Sequence, residues 1–299
     1  MTGRRCLSLA VASTLFASLS SGAAWAAAPP PAPPPTPAEL PQLHKLKDDV
    51  YVIQNRNSVV ADIGRFGGNV TVVVTPDGVV LIDSKNASMH DDIVAKVRSL
   101  TSQPIKYVIL THNHPDHSGG AEKMQAIGAT VVMSSADREN MARGNVPGLA
   151  QITYSYSGKV FLGGKEIQLT EHRGHTRGDT VVYLPQSKVL IAGDLVETPD
   201  AIPGIVNYAD GGNWTDWGKT LDELAKIDFD VLVAGHGPVL TKAEFLAFRD
   251  KIATIRERFR ALNRERKSAD EIAQTLTREL NWGTGPAAGN IPGMMQELR

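Results

Sequence analysis

Residues 111–120 read Thr-His-Asn-His-Pro-Asp-His-Ser-Gly-Gly. Four potential metal ligands, His112, His114, Asp116 and His117, fall within this stretch. His112 and His114 are two apart, so in an extended backbone both rings point the same way. Asp116 and His117 follow in a turn and face a second position. Three further candidates stand beside glycine next to apolar runs: His175 in Gly-His-Thr-Arg-Gly-Asp, Asp194 in Ala-Gly-Asp, and His236 in Gly-His-Gly-Pro. Five histidines and two aspartates around one rim make a ligand set for two borderline-soft cations with open coordination positions. His44, His90 and His172 have no such context and read as ordinary side chains. The single cysteine, Cys6, lies in a segment expected to be removed, so the ligands here are His and carboxylate.

The elements around these residues explain how they meet. Val50–Gln54 alternates like a strand. Asn69–Val74 and Val79–Ile82 are β-branched runs around Pro76-Asp77-Gly78, a hairpin turn signal. Further strands are predicted at Tyr107–Leu110, Thr130–Met133, Ile167–Leu169, Thr180–Leu184, Val189–Ala192 and Val231–Val233. Helices are predicted at His90–Leu100, Gly119–Ile127, Ala136–Met141, Trp214–Lys226 and about 242–262 and 269–280. The ligands stand at strand ends, and strand ends of a shared sheet converge on one rim. Phe245, Phe248, Ile252, Ile255, Phe259 and Leu262 form one core-facing helical stripe. The opposite face is basic, which reads as a solvated face rather than an anion site.

With these residues in view, the stretch from about Val50 to Leu240 resembles the metallo-β-lactamase superfamily. Its signature is H-x-H-x-D-H, a downstream histidine, an acidic residue or cysteine, and a last histidine after glycine. The resemblance implies an α+β fold, the four-layer αββα sandwich, with a metal cleft at one edge. It implies two Zn2+ per chain, one held by His112, His114 and His175 and the other by Asp116, His117 and His236. Asp194 matches a carboxylate that bridges both metals in many members. Asp83 matches a buried acid behind the site.

The implied chemistry is hydrolysis by a metal-bound hydroxide, since zinc lowers the pKa of its bound water to about 7. Asp116 would orient the hydroxide as well as bind metal. The ligand pattern and an exported chain suit a β-lactam substrate, while an acid at Asp194 is typical of lactonases and thioesterases in the superfamily. A cyclic amide or ester is therefore the expected substrate, with a thioesterase or a mononuclear iron persulfide dioxygenase as alternatives. Substrate-wall candidates are Arg65–Gly68, Asn145–Tyr156 and Pro199–Trp217, the last with Tyr208, Asn213, Trp214 and Trp217. Arg177 is a candidate for an anionic group or a surface residue.

The 299 residues carry 31 basic and 32 acidic side chains, and this balance argues against nucleic acid as a partner. A small-molecule substrate is expected instead. Arg4 and Arg5, the apolar run Cys6–Leu19 and Ala24-Trp25-Ala26 read as a signal peptide over residues 1–26. The run is too short to span a bilayer, so no stable membrane insertion is expected. Residues 27–42 form a proline-rich linker, and 43–299 the folded domain. The expected location is periplasmic or secreted.

Overall fold

The computed structural model describes residues 35–57, 60–197, 206–283 and 285–299. The expected signal peptide, and the linker before residue 35, lie outside them. Among the described residues, two mixed sheets are present. The first runs in chain order: β1 (Gln42–Lys47), β2 (Val50–Gln54), β3 (Val70–Thr75), β4 (Gly78–Ile82), β5 (Ile105–Ile109), β6 (Thr130–Ser134) and β7 (Ile152–Tyr154). Neighbours are antiparallel from β1 to β4 and parallel from β4 to β7. The second sheet holds β8 (Ser157–Leu162), β9 (Lys165–His172), β10 (Asp179–Leu184), β11 (Val189–Gly193), β12 (Val231–Ala234) and β13 (Leu240–Thr241). There only β11 and β12 are parallel.

Strand alternation builds the layers. In β4, Val80 and Ile82 face the second sheet, where they meet Ile167, Leu169, Val182, Ile191 and Val233. Val79 and Leu81 face outward onto α2 (His90–Leu100), α4 (Ala121–Ala126) and α5 (Ser135–Arg143). Both faces of the strand are therefore buried, as its unbroken apolar run requires. The outer face of the second sheet, with Leu190 and Leu232, is covered by α6 (Trp214–Leu224), α7 (Lys242–Arg264), α8 (Ala269–Leu280) and α9 (Pro286–Glu297). The predicted stripe Phe245 to Leu262 is the buried face of α7. The result is the expected αββα sandwich. Among the described residues, no helix is long and apolar enough to cross a membrane.

Several elements differ from expectation. The helix predicted over Gly119–Ile127 is α4, and the turn before it is itself a short helix, α3 (Pro115–Ser118). Pro115 opens α3, where its fixed φ suits a helix start. Asp116 and His117 thus sit on a helical turn. A short helix, α1 (Val60–Phe66), precedes β3. The chain ends in α9, whose sequence Pro-Ala-Ala-Gly-Asn-Ile-Pro-Gly is poor in helix formers. Packing overrides propensity there: Ala287, Ile291 and Met294 recur at helical spacing and are buried against the core of α6–α8.

Candidate metal centre

The seven predicted ligands converge at one edge of the sandwich. His112 and His114 follow β5, Asp116 and His117 lie on α3, and His175 precedes β10. Asp194 follows β11 and His236 follows β12. β10 runs against β11, so its start lies at the same edge as the ends of β11 and β12. Thr180 N–H donates to Thr111 O at 2.6 Å and Asn69 N–H to Gly235 O at 2.7 Å, which ties the two sheets together at this rim.

The residues fall into two groups: His112, His114, His175 and Asp194, and Asp116, His117 and His236, each with ligand atoms within 4.8 Å of one another. Asp194 reaches both. Its Oδ2 lies 3.9 Å from His112 Nε2 and 3.7 Å from His175 Nε2. Its Oδ1 lies 3.2 Å from His117 Nε2 and 3.4 Å from His236 Nε2. Asp116 Oδ2 stands 3.2 Å from His236 Nε2. Within the first group, His175 Nε2 and His114 Nδ1 are 2.9 Å apart. His114 and Asp116 are partly exposed while the other five are buried, so the cluster opens to solvent on the His114–Asp116 side.

Side chains behind the cluster set which nitrogen faces it. Asp83 Oδ2 lies 2.9 Å from His117 Nδ1 and accepts its proton, leaving Nε2 turned inward. Thr111 donates its hydroxyl to Asp83 Oδ2 at 2.8 Å and its backbone N–H to Asp83 Oδ1 at 2.7 Å. That spends the only hydroxyl proton of Thr111, so Thr111 Oγ1 accepts from His112 Nδ1 at 3.1 Å. His112 Nε2 then carries a lone pair, and it is buried with no hydrogen-bond partner. Such an orphaned acceptor, facing two more histidines and a carboxylate, fits a divalent cation. Asp210 Oδ2 supports His114 from outside, 3.2 Å from Nε2, and is held by Asn113 and Asn207.

The titration of these groups follows their surroundings. Burial lowers His112 well below the usual histidine range, and the charge of His117 adds to this. Burial would raise Asp194, but the charges of His236 and His117 outweigh it and hold the carboxyl well below its ordinary value. Burial likewise opposes ionisation of Asp116, and His117 and the hydrogen bond from His236 overcome it. His236 is raised to about 9, because Asp194 and Asp116 outweigh its desolvation. The protons on His117 and His236 thus stand where a cation would satisfy the same carboxylates.

The wall candidates are placed differently. Trp214 and Trp217 are buried in the α6–α9 core, with Trp217 Nε1 donating to Leu195 O. Asn213 caps α6 by accepting from Asp216 N–H. Tyr208 donates its hydroxyl to Glu297. Pro199 to Ile202 and the rest of 198–205 lie outside the described residues. Arg65 pairs with Glu39, and Arg177 with Glu139, so neither presents a free guanidinium. Gly67 and Gly68 lie beneath the centre, where a Cβ on Gly68 would fall 2.2 Å from His117 Cε1. From 145–156, Val146 and Leu149 pack on the core and Tyr154 donates to Thr180 at 2.8 Å, leaving Tyr156 exposed.

Sequence reading missed Thr111, Asn207 and Asp210. It also missed Lys85, fully buried with Nζ donating to Asn55 Oδ1 at 2.7 Å and Gly68 O at 2.6 Å. Burial brings its pKa down to about 7. The one available signal was the place of Thr111 directly before His112.

Known proteins share the family and the fold. The family model described as Metallo-beta-lactamase superfamily matches residues 63–236. A metallo-beta-lactamase type 2 of Elizabethkingia meningoseptica is 27% identical over 199 residues, covering 65% of this chain and 78% of the relative. A 2,4-dinitroanisole O-demethylase subunit alpha of a Nocardioides strain is 28% identical, over 48% of this chain and 44% of the relative. Among solved structures, a metallo-beta-lactamase from Pontibacter korlensis superposes with a TM-score of 0.63 at 25% identity, covering 71% of this chain and 99% of that one. Family match, sandwich and His/Asp cluster coincide, and the chain belongs to the metallo-beta-lactamase superfamily as a metal-dependent hydrolase.

Proposed function

We propose that this chain is an exported dinuclear zinc hydrolase that opens a cyclic amide or ester, a β-lactam or a lactone. The observation that carries the reading is Asp194, which turns one carboxylate oxygen toward each group of ligands. That arrangement favours two cations side by side. His112, His114, His175 and Asp194 would hold one, and Asp116, His117 and His236 the other, with Asp194 shared. The relatives named as β-lactamases support the lactam, and the leader-like residues 1–26 support export to the periplasm or beyond.

When bound, the two ions supply a water ionised near neutral pH and a Lewis acid for the carbonyl oxygen. Asp116 stays ionised and sits at the solvent side, so it can accept a hydrogen bond from a water entering the cleft and orient it. Asp83, Thr111 and Asp210 fix the histidine rings, so the ligands need little rearrangement. The test is turnover of a chromogenic cephalosporin and of an aliphatic lactone by zinc-loaded protein, with a chelated control. Chelator-sensitive ring opening of either is the expected result. No turnover of both with two zincs bound, or one iron per chain with sulfur-dependent oxygen uptake, would overturn it.

A further inference from the structure

The segment from Val206 to Asn213 is held by the His175 loop, by α9 and by α5, where Asn140 donates to Asp210 O at 3.0 Å and Arg143 to Asp210 Oδ1 at 2.9 Å. On one side it lies against the loop that carries His175. Asn207 N–H donates to His175 O at 2.8 Å, Asn213 N–H to Gly174 O at 2.8 Å, and Arg177 N–H to Asp210 O at 3.1 Å. It also delivers Asp210 to His114 Nε2. On the other side, helix α9 holds it. Asn290 Oδ1 accepts from Val206 N–H at 2.9 Å, and Asn290 is buried. Glu297 Oε1 accepts from the Tyr208 hydroxyl at 2.8 Å and from Trp214 N–H at 2.7 Å, and its Oε2 accepts from Thr215 N–H at 2.9 Å. Glu297 therefore satisfies two open N–H groups at the start of α6 while it holds Tyr208. Gly293 lets the Tyr208 ring lie flat on α9, since a Cβ there would fall 2.3 Å from Tyr208 Cε2.

α9 lies beyond residues 63–236, the part matched to the superfamily. We propose that α9 is a clamp on the metal centre, with Glu297 as a positioning residue. By fixing Tyr208 and the start of α6, it holds Asn207 and Asp210 against His175 and His114. One half of the centre, His112–His114–His175–Asp194, thereby depends in part on α9, beside the hold of Asn140 and Arg143 on Asp210. The other half, Asp116–His117–His236, makes no contact through this segment among the bonds described.

The proposal rests on the metal centre proposed above, and the test separates the two. Zinc affinity is measured by competition with a chelator, and zinc-edge anomalous diffraction reports which site loses occupancy. Full-length Glu297→Ala and Tyr208→Phe are compared with wild type, with the unfolding midpoint followed in parallel. Tyr208→Phe removes only the hydroxyl contact and keeps the ring, so it decides the matter if Glu297→Ala does not fold. The expected result is a roughly 10-fold or greater loss of affinity confined to the His112–His114–His175–Asp194 site, in the range found for groups that orient ligands. A lower midpoint with both zinc affinities unchanged would make α9 merely structural and overturn the proposal alone. Wild-type protein that binds no metal would overturn the reading of the centre and this proposal with it.

Discussion

Asp83 Oδ2 and His117 Nδ1 are 2.9 Å apart, and the same carboxylate takes both the hydroxyl and the backbone N–H of Thr111. One buried acid thus orients His117 directly and His112 through Thr111. Asp83 sits at φ 67°, a left-handed backbone that Asn also tolerates. Asp83→Asn is therefore expected to fold and to bind zinc roughly 10- to 100-fold more weakly. Unchanged affinity by chelator competition would remove Asp83 from the support of the centre.

Asp194 is expected to pair the two ions rather than to hold either alone. Asp194→Ser leaves three histidines on one side and Asp116, His117 and His236 on the other. Equilibrium dialysis is expected to show one ion retained and the second weakly held, with turnover reduced. Unchanged stoichiometry and turnover would show that Asp194 is not a ligand.

Gly235 gives a steric version of the same experiment. A Cβ there would stand 1.9 Å from Asp194 Oδ1 and 2.8 Å from Gly193 C. Gly235→Ala is expected to displace Asp194 and reproduce the loss of the second ion. Gly289→Ala in α9, with nothing within 4 Å, is the control. It is expected to stabilise the fold by about 0.5–1 kcal/mol through helix propensity. Equal effects of the two on metal binding would contradict this account.

A carboxyl pair behind the His175 loop sets a pH dependence of stability. Thr176 Oγ1 lies 2.8 Å from Asp137 Oδ2 and 2.8 Å from Asp179 Oδ1, yet it has one proton to give. Burial raises Asp137 to about 7, and burial and the neighbouring Asp137 raise Asp179 well above its ordinary value. The folded state therefore keeps a proton on Asp137 that the unfolded chain releases. This contribution is full below the ordinary value of 3.8 and is lost as pH rises through about 7. Asn at 137 donates to Thr176 without titrating. Denaturant unfolding of Asp137→Asn is expected to fall less steeply than wild type across this window and to end more stable at its upper limit. Parallel curves would contradict the assignment.

Much of this was legible in the sequence, and for stated reasons. The candidate ligands stand out because His112 to His117 crowd one turn and the others stand at strand ends beside glycine. Strands such as Gly78–Ile82 were legible because both of their faces are apolar. What could not be read is long-range. Asp210 reaches His114 across 96 residues, with no local spacing to betray it. Glu297 meets Tyr208 across 89 residues, from a helix whose prolines and glycines argue against its existence. Trp214 and Trp217, candidates for the substrate wall by sequence, pack into the core instead, because the spacing that puts them on one face of α6 turns that face inward. The basic face of α7 resolved into ion pairs, among them Arg258 with Glu279 and Arg249 with Asp222.

The most direct measurement is zinc-edge anomalous diffraction from crystals of the zinc-loaded protein. The expected result is two peaks. One lies among His112, His114 and His175, the other among Asp116, His117 and His236, with one oxygen of Asp194 on each. A single peak at the first position, or strong scattering at the iron edge from protein as purified, would contradict a dinuclear zinc centre.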